Sequence, residues 1–205
     1  MSGARIGVVD VGVANLRSVA NALTHLGLEH RTVDSAAALA GCTHVILPGV
    51  GAFDTAMNRL NAAGLTQPLR EFAAAARPVL GLCLGMQLLV EHGVEGDAAE
   101  GLGLLPGRVE RLGAERLPHV GWNAVDHAAA HPLLAGARSG ADYYFVHSYH
   151  VVTDAEVVLA TSEYGQRFVA VLGRGNIVGC QFHPEKSQRS GLALLERFGA
   201  WDGTC

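Results

Sequence analysis

The chain has 205 residues, of which 49% are hydrophobic and 17% charged, with 19 acidic against 15 basic side chains and a formal net charge of −4. One domain spanning residues 1–205 is expected, large enough for a substantial core, and the acidic balance excludes the basic footprint of a nucleic-acid binder. No stretch approaches the ~18 apolar residues of a membrane span, and the N-terminal residues are expected to enter a strand directly, with no secretory leader. Cys42, Cys83, Cys180 and Cys205 lack both C-x-x-C and metal-ligand spacing, so free thiols in a reducing cytoplasm are expected.

Residues 4–10 read as a short apolar strand. Asn15 then caps a helix with Leu16, Val19, Ala20, Leu23 and Leu26 at helical spacing. The 12–15 loop lies at a strand's carboxyl end, where open α/β sheets bind ligands, but it has neither G-x-G-x-x-G nor a P-loop lysine. Residues 29–33 make a second strand, Asp34 and Ser35 cap a short Ala-rich helix, and residues 44–47 make a third strand. Next comes Pro48-Gly49-Val50-Gly51. Glycines on both sides of Val50 free its peptide planes to take unusual angles or to flip, although an ordinary βα turn would use the same residues.

Helices at 54–63 and 67–76 lead to the stretch the rest of the chain serves, residues 77–91, read as strand, sharp turn and helix. Gly81 and Gly85 bracket Cys83 as G-x-C-x-G, the cysteine form of a nucleophile elbow. Unpaired N–H groups at the start of the following helix favour a thiolate and can hold an oxyanion. A buried cysteine in a βα turn would also fit. A partner for the thiolate arrives at 177–182, a buried strand that delivers His183-Pro184-Glu185. In extended chain His183 and Glu185 face one way, which suits a relay in which the imidazole takes the thiol proton and the carboxylate orients it. Alone, the tripeptide would read as a turn-closing proline beside a surface His and Glu.

From residue 93 to 103 the chain is Gly-rich and acidic, a loop beside the site. The second half turns to short strands at 108–112, 117–120, 123–125, 143–149, 157–161, 168–172 and 177–182, closed by a helix at 191–198. This pattern implies a mixed sheet with an antiparallel extension.

Gly-Leu-Cys-Leu-Gly-Met-Gln followed far downstream by Gln-Phe-His-Pro-Glu-Lys resembles the class I (triad) glutamine amidotransferase domain, and the likeness covers nearly the whole chain. The stretches starting at Asp10, Leu47, Leu117 and Tyr143 resemble, more narrowly, the glutaminase subunits of imidazole glycerol phosphate synthases. The resemblance implies an α/β fold, a three-layer sandwich around a central mixed, mostly parallel sheet (flavodoxin-like) with an antiparallel extension. It implies catalysis by Cys83, His183 and Glu185, and an oxyanion held by the backbone N–H groups of Val50 and Leu84. Substrate contacts fall on Gly49, Gly51, Gln87, Ser148 and Tyr149. Gln87 shares a helix face with Cys83, but could instead bridge a loop; Ser148 and Tyr149 could equally pack a sheet edge.

Asn15, Trp122, Asn123, Tyr144 and Lys186 match positions facing a partner, though each alone would read as core aromatic or solvated polar group. Val11 and Ala14 stand where the family commonly has tyrosine and glycine. A flip at Gly49-Val50 would be a switch for activity. The implied reaction is hydrolysis of L-glutamine to glutamate and ammonia through a γ-glutamyl thioester, with no metal or organic cofactor. The implied partner is a (β/α)8 cyclase subunit in a heterodimer, which combines the ammonia with a nucleotide substrate in histidine biosynthesis. Service to another synthase such as that for pyridoxal phosphate, a Cys peptidase or γ-glutamyl hydrolase activity, and a catalytically dead binding subunit are the alternatives.

Overall fold

The computed structural model describes residues 3–10, 12, 16–95 and 99–204; Val11, Ala14, Asn15 and Cys205 lie outside them. The first half alternates strand and helix: β1 (Arg5–Val9), α1 (Leu16–His25), β2 (Glu29–Val33), α2 (Ala36–Ala40), β3 (His44–Gly49), α3 (Phe53–Ala62), α4 (Thr66–Ala74), β4 (Val79–Cys83) and α5 (Leu84–Leu88). Helix α1 buries Val19, Ala22 and Leu23 on one side, as its apolar spacing dictates. Helix α2 begins where expected because the Ser35 side chain accepts from Ala38 N–H.

The second half supplies β5 (His92–Gly93), β6 (Ala99–Glu100), β7 (Arg108–Arg111), β8 (His119–His127), β9 (Ala141–His147), β10 (Tyr149–Val152), β11 (Val158–Tyr164), β12 (Gln166–Arg174), β13 (Ile177–Cys180) and α6 (Gln188–Ala200). Among the described residues the main sheet runs β2-β1-β3-β4-β13-β12-β11-β8-β9. Pairings are parallel from β2 to β13 and antiparallel from β13 to β9, so the antiparallel extension is as broad as the parallel part. A smaller sheet, β10-β7-β5-β6, packs beside it.

Strand alternation divides the core between the two faces of the main sheet. Val45 and Leu47 of β3 join Phe53, Leu60, Phe72 and Leu84 on one face; Ile46, Leu80 and Leu82 join Leu23, Leu194 and Phe198 on the other. The layers are therefore α3, α4, α5 and the small sheet on one side, and α1 and α6 on the other.

Four local expectations are corrected by the structure. The strands expected at 117–120 and 123–125 are one strand, β8, because Gly121 stays in register opposite Phe145. The strand expected at 143–149 splits at Ser148: Leu112 N–H binds Ser148 O and draws the chain from the main sheet into the small one. Helix α5 ends at Leu88 rather than running to residue 91. The 102–104 segment donates to the carbonyls of Leu88, Leu89 and Val90, replacing the next helical turn. Finally, Pro184–Lys186 is a 3-10 turn and not extended chain, closed by Lys186 N–H to His183 O (3.0 Å).

Candidate active site

Cys83 ends β4 and caps α5 with φ 53 and ψ −110, a conformation that costs on the order of 1–3 kcal/mol for a residue with a Cβ. Surrounding backbone enforces it. A Cβ on Gly81 would meet Gly85 O at 2.6 Å, and one on Gly85 would meet Leu47 O at 1.6 Å. The glycines of G-x-C-x-G thus let β4, β3 and α5 touch. Cys83 is 5% exposed; its Sγ donates to Val146 O (3.7 Å) and accepts from Gln181 Nε2 (3.6 Å).

His183 follows β13, the parallel neighbour of β4, and so reaches the same end of the sheet. Its Nδ1 lies 2.8 Å from Glu185 Oε1, with both side chains buried. Because a carboxylate only accepts, the proton of this bond belongs on Nδ1. The 3-10 turn brings the carboxylate back to the ring as effectively as the expected extended chain would. Nε2 of His183 and Oε2 of Glu185 have no hydrogen-bond partner. Burial disfavours charge on His183, but Cys83 and Glu185 outweigh it and lift the imidazole to about 10. Cys83 favours the imidazolium by proximity, although its sulfur is not aligned on Nε2 as an acceptor. The stabilisation from this charged histidine is complete below the ordinary histidine value and is lost as pH rises through about 10.

A cavity of about 250 Å³ opens at the thiol. Val50, Gly51, Leu84, Gln87, Ser148 and Tyr149 all line it with Cys83. Gly51 takes φ +102, where glycine is at ease. Gly49 sits behind the wall, and a Cβ on it would lie 3.0 Å from Leu84 Cβ. Gln87 is 3% exposed and its Nε2 donates to Tyr149 O and to Gln181 Oε1, both at 3.0 Å, which leaves only Oε1 for a ligand.

Three residues escaped the sequence reading. Glu95 lines the cavity, accepts from Phe53 N–H at the start of α3, and has its carboxyl raised mainly by burial. The acidic loop was the available signal, but not which carboxylate turns inward. Gln181, inside the expected strand, contacts the sulfur. His147 also lines the cavity, where its Nδ1 donates to Tyr149 O (2.9 Å). His147 Nε2 therefore accepts from His119 Nδ1 (3.0 Å), and His119 Nε2 faces Asn123 Nδ2 (3.4 Å).

Burial, partly offset by the bond to Tyr149 O, drives the His147 pKa down to about 4. The unfolded chain protonates first on acidification, so stability should fall between about pH 6.5 and 4 by about 3 kcal/mol from this group. Urea unfolding over that range should be markedly less pH-sensitive in His147→Gln; an equal slope would contradict the assignment.

The residues expected at a partner face meet only in part. Trp122, 48% exposed, stands edge-on to Tyr144 at 6.0 Å, and Lys186 Nζ lies 5.9 Å over the Tyr144 ring. Tyr144 O accepts from His183 N–H (2.9 Å), so this patch abuts the histidine directly. Asn123 instead spends its amide inside the sheet, donating to Glu163 O (2.8 Å). Asn15 lies outside the described residues. Among the described residues no cluster of three or more His, Cys, Asp or Glu could hold a metal ion, and no helix is long and apolar enough to cross a membrane.

The family model for "glutamine amidotransferase class-I" matches residues 7–200. The chain is 50% identical over 198 residues to the imidazole glycerol phosphate synthase subunit HisH of Symbiobacterium thermophilum, covering 96% of this chain and 93% of that one. It is 50% identical over 198 residues to HisH of Desulfitobacterium hafniense, covering 96% and 94%. Among solved structures, PurLQS from Thermotoga maritima superposes with a TM-score of 0.75 at 20% identity, over 96% of this chain and 98% of that chain, a likeness of fold. The chain belongs to the class-I glutamine amidotransferase family.

Proposed function

We propose that this chain is the glutaminase subunit of an imidazole glycerol phosphate synthase, acting as one domain in the cytoplasm and as a heterodimer with a (β/α)8 cyclase subunit. The observation that carries the reading is the strained Cys83 at the mouth of a small cavity, with the buried His183–Glu185 pair beside it. Relatives half-identical over nearly the whole chain bear that subunit's name.

In this mechanism the Sγ proton resides on His183 Nε2 as a thiolate–imidazolium pair, the form that the raised imidazole favours at neutral pH, and the thiolate attacks the side-chain carbonyl carbon of glutamine. The oxyanion is held by the N–H groups of Val50 and Leu84. The C–N bond breaks as His183 returns the proton to the leaving nitrogen, giving ammonia and a γ-glutamyl thioester on Cys83. Water, deprotonated by His183, attacks the thioester; glutamate leaves and the thiol is restored. Glu185 keeps Nδ1 protonated throughout and supports the imidazolium. Glu95 is the carboxylate positioned for the α-ammonium of the substrate, with Gln87 Oε1, Ser148 and Tyr149 completing the wall.

The patch of Trp122, Tyr144 and Lys186 takes the cyclase, and Asn15 is a partner contact by the family resemblance alone. Docking there presses on the backbone that holds His183, and a flip at Gly49-Val50 completes the oxyanion hole. Ammonia passes to the cyclase for the synthesis of imidazole glycerol phosphate and aminoimidazole carboxamide ribonucleotide.

The test is glutamate release by the purified chain alone, with the cyclase subunit, and with cyclase plus its nucleotide substrate. Release concentrated in the third condition is expected. Turnover of γ-glutamyl peptides or folates without any partner, or silence in all three conditions, would contradict the proposal.

A further inference from the structure

Two buried carboxamides form a chain that ends on the sulfur of Cys83, and its polarity is fixed by the backbone. Tyr149 O can only accept, so the Gln87 atom 3.0 Å from it is the donor Nε2. The same Nε2 lies 3.0 Å from Gln181, which must therefore turn its Oε1 toward Gln87. Gln181 Nε2 is then left facing Cys83 Sγ at 3.6 Å. Gln181 is 0% exposed and its own N–H is bound to Ala170 O (2.9 Å), so the side chain leaves a fixed backbone.

The other contact of Sγ has the opposite sign. Val146 O, at 3.7 Å, accepts from the protonated thiol and repels a thiolate. A donor directed at the sulfur favours the charged form. Gln181 offers that donor from a position where no water competes.

Resting on the glutaminase reading, we propose that Gln181 is a catalytic residue: its Nε2–H donates to the Cys83 thiolate and favours ionisation and attack, with Gln87 holding it in that orientation. The proton leaving Sγ goes to His183 Nε2 and none passes through Gln181, so the carboxamide ends each cycle unchanged.

The test is the pH profile of Cys83 alkylation by iodoacetamide in the full chain, wild type against Gln181→Met, which keeps the bulk and removes the donor. In the variant the alkylation midpoint should move to higher pH, and alkylation at pH 7 should slow about ten-fold. Partner-stimulated kcat for glutamate release should fall by a similar factor, with KM for glutamine within about two-fold. A folded Gln181→Met chain with the wild-type alkylation profile overturns the proposal. Alkylation needs no glutamine, so a shifted profile in a chain that never releases glutamate sinks the glutaminase reading and keeps the donor assignment. If Gln181→Met does not fold, wild-type chain with 15N-labelled glutamine side chains decides: the Gln181 carboxamide protons should move as the Cys83 thiol titrates, and a Gln181 resonance that ignores it overturns the proposal.

Discussion

Cys83→Ala is expected to lower partner-stimulated glutamate release by ~10⁴-fold or more, while leaving the fold and glutamine binding in place. The thiol is the atom that forms the thioester, and no other described cysteine replaces it: Cys42 and Cys180 are buried and neither lines the cavity. Alanine accepts the same backbone strain as cysteine, because the glycines on either side, and not the sulfur, set the turn. The substitution carries a second readout. Cys83 is one of the groups that raise His183 to about 10, so the imidazole pKa should drop when the thiol is removed. Histidine titration by NMR checks this without any assay of turnover. Lost activity with an unmoved His183 would mean that the two side chains do not interact as the structure places them.

Gly85→Ala is the substitution expected to damage the fold most. The new Cβ would lie 1.6 Å from Leu47 O, in the middle of β3, and no flexible side chain is there to yield. Leu47 is paired with Gly81 on β4, so relief requires lifting α5 from the sheet and moving Leu84 and Cys83 with it. A loss of about 4 kcal/mol or more is expected, near the top of single-substitution effects. Thermal unfolding should begin on the order of 10 °C lower. Gly64→Asn is the control: that position has φ +65 and open space around a Cβ, and asparagine tolerates the left-handed region. A Gly85→Ala chain as stable as Gly64→Asn would show that the elbow is looser than described.

Much of the site was legible because its parts are local patterns. G-x-C-x-G encodes a close approach of three backbones, and that requirement can be read from two missing side chains. The βα alternation up to Cys83 put the thiol at a strand's carboxyl end, and β13 delivered His183 to the same edge. What escaped reading depends on contacts between distant segments. Ser148 breaks a continuous alternation only because Leu112 claims its carbonyl. Helix α5 stops because the 102–104 segment caps it. The pairing of His183 with Glu185 was expected from extended geometry and is reached through a 3-10 turn, since the short reach between neighbours can be closed in more than one way. Gln181, Glu95 and His147 carry no pattern at all: a buried polar side chain is visible only when its partner is known.

The thioester can be caught by mass analysis of the chain, acid-quenched during turnover of glutamine in the presence of the cyclase subunit and its nucleotide substrate. One γ-glutamyl group is expected, on the peptide containing Cys83, absent from Cys83→Ala and accumulating when water attack is slowed. Steady turnover with no adduct on Cys83, or an adduct on another residue, would contradict the thioester mechanism.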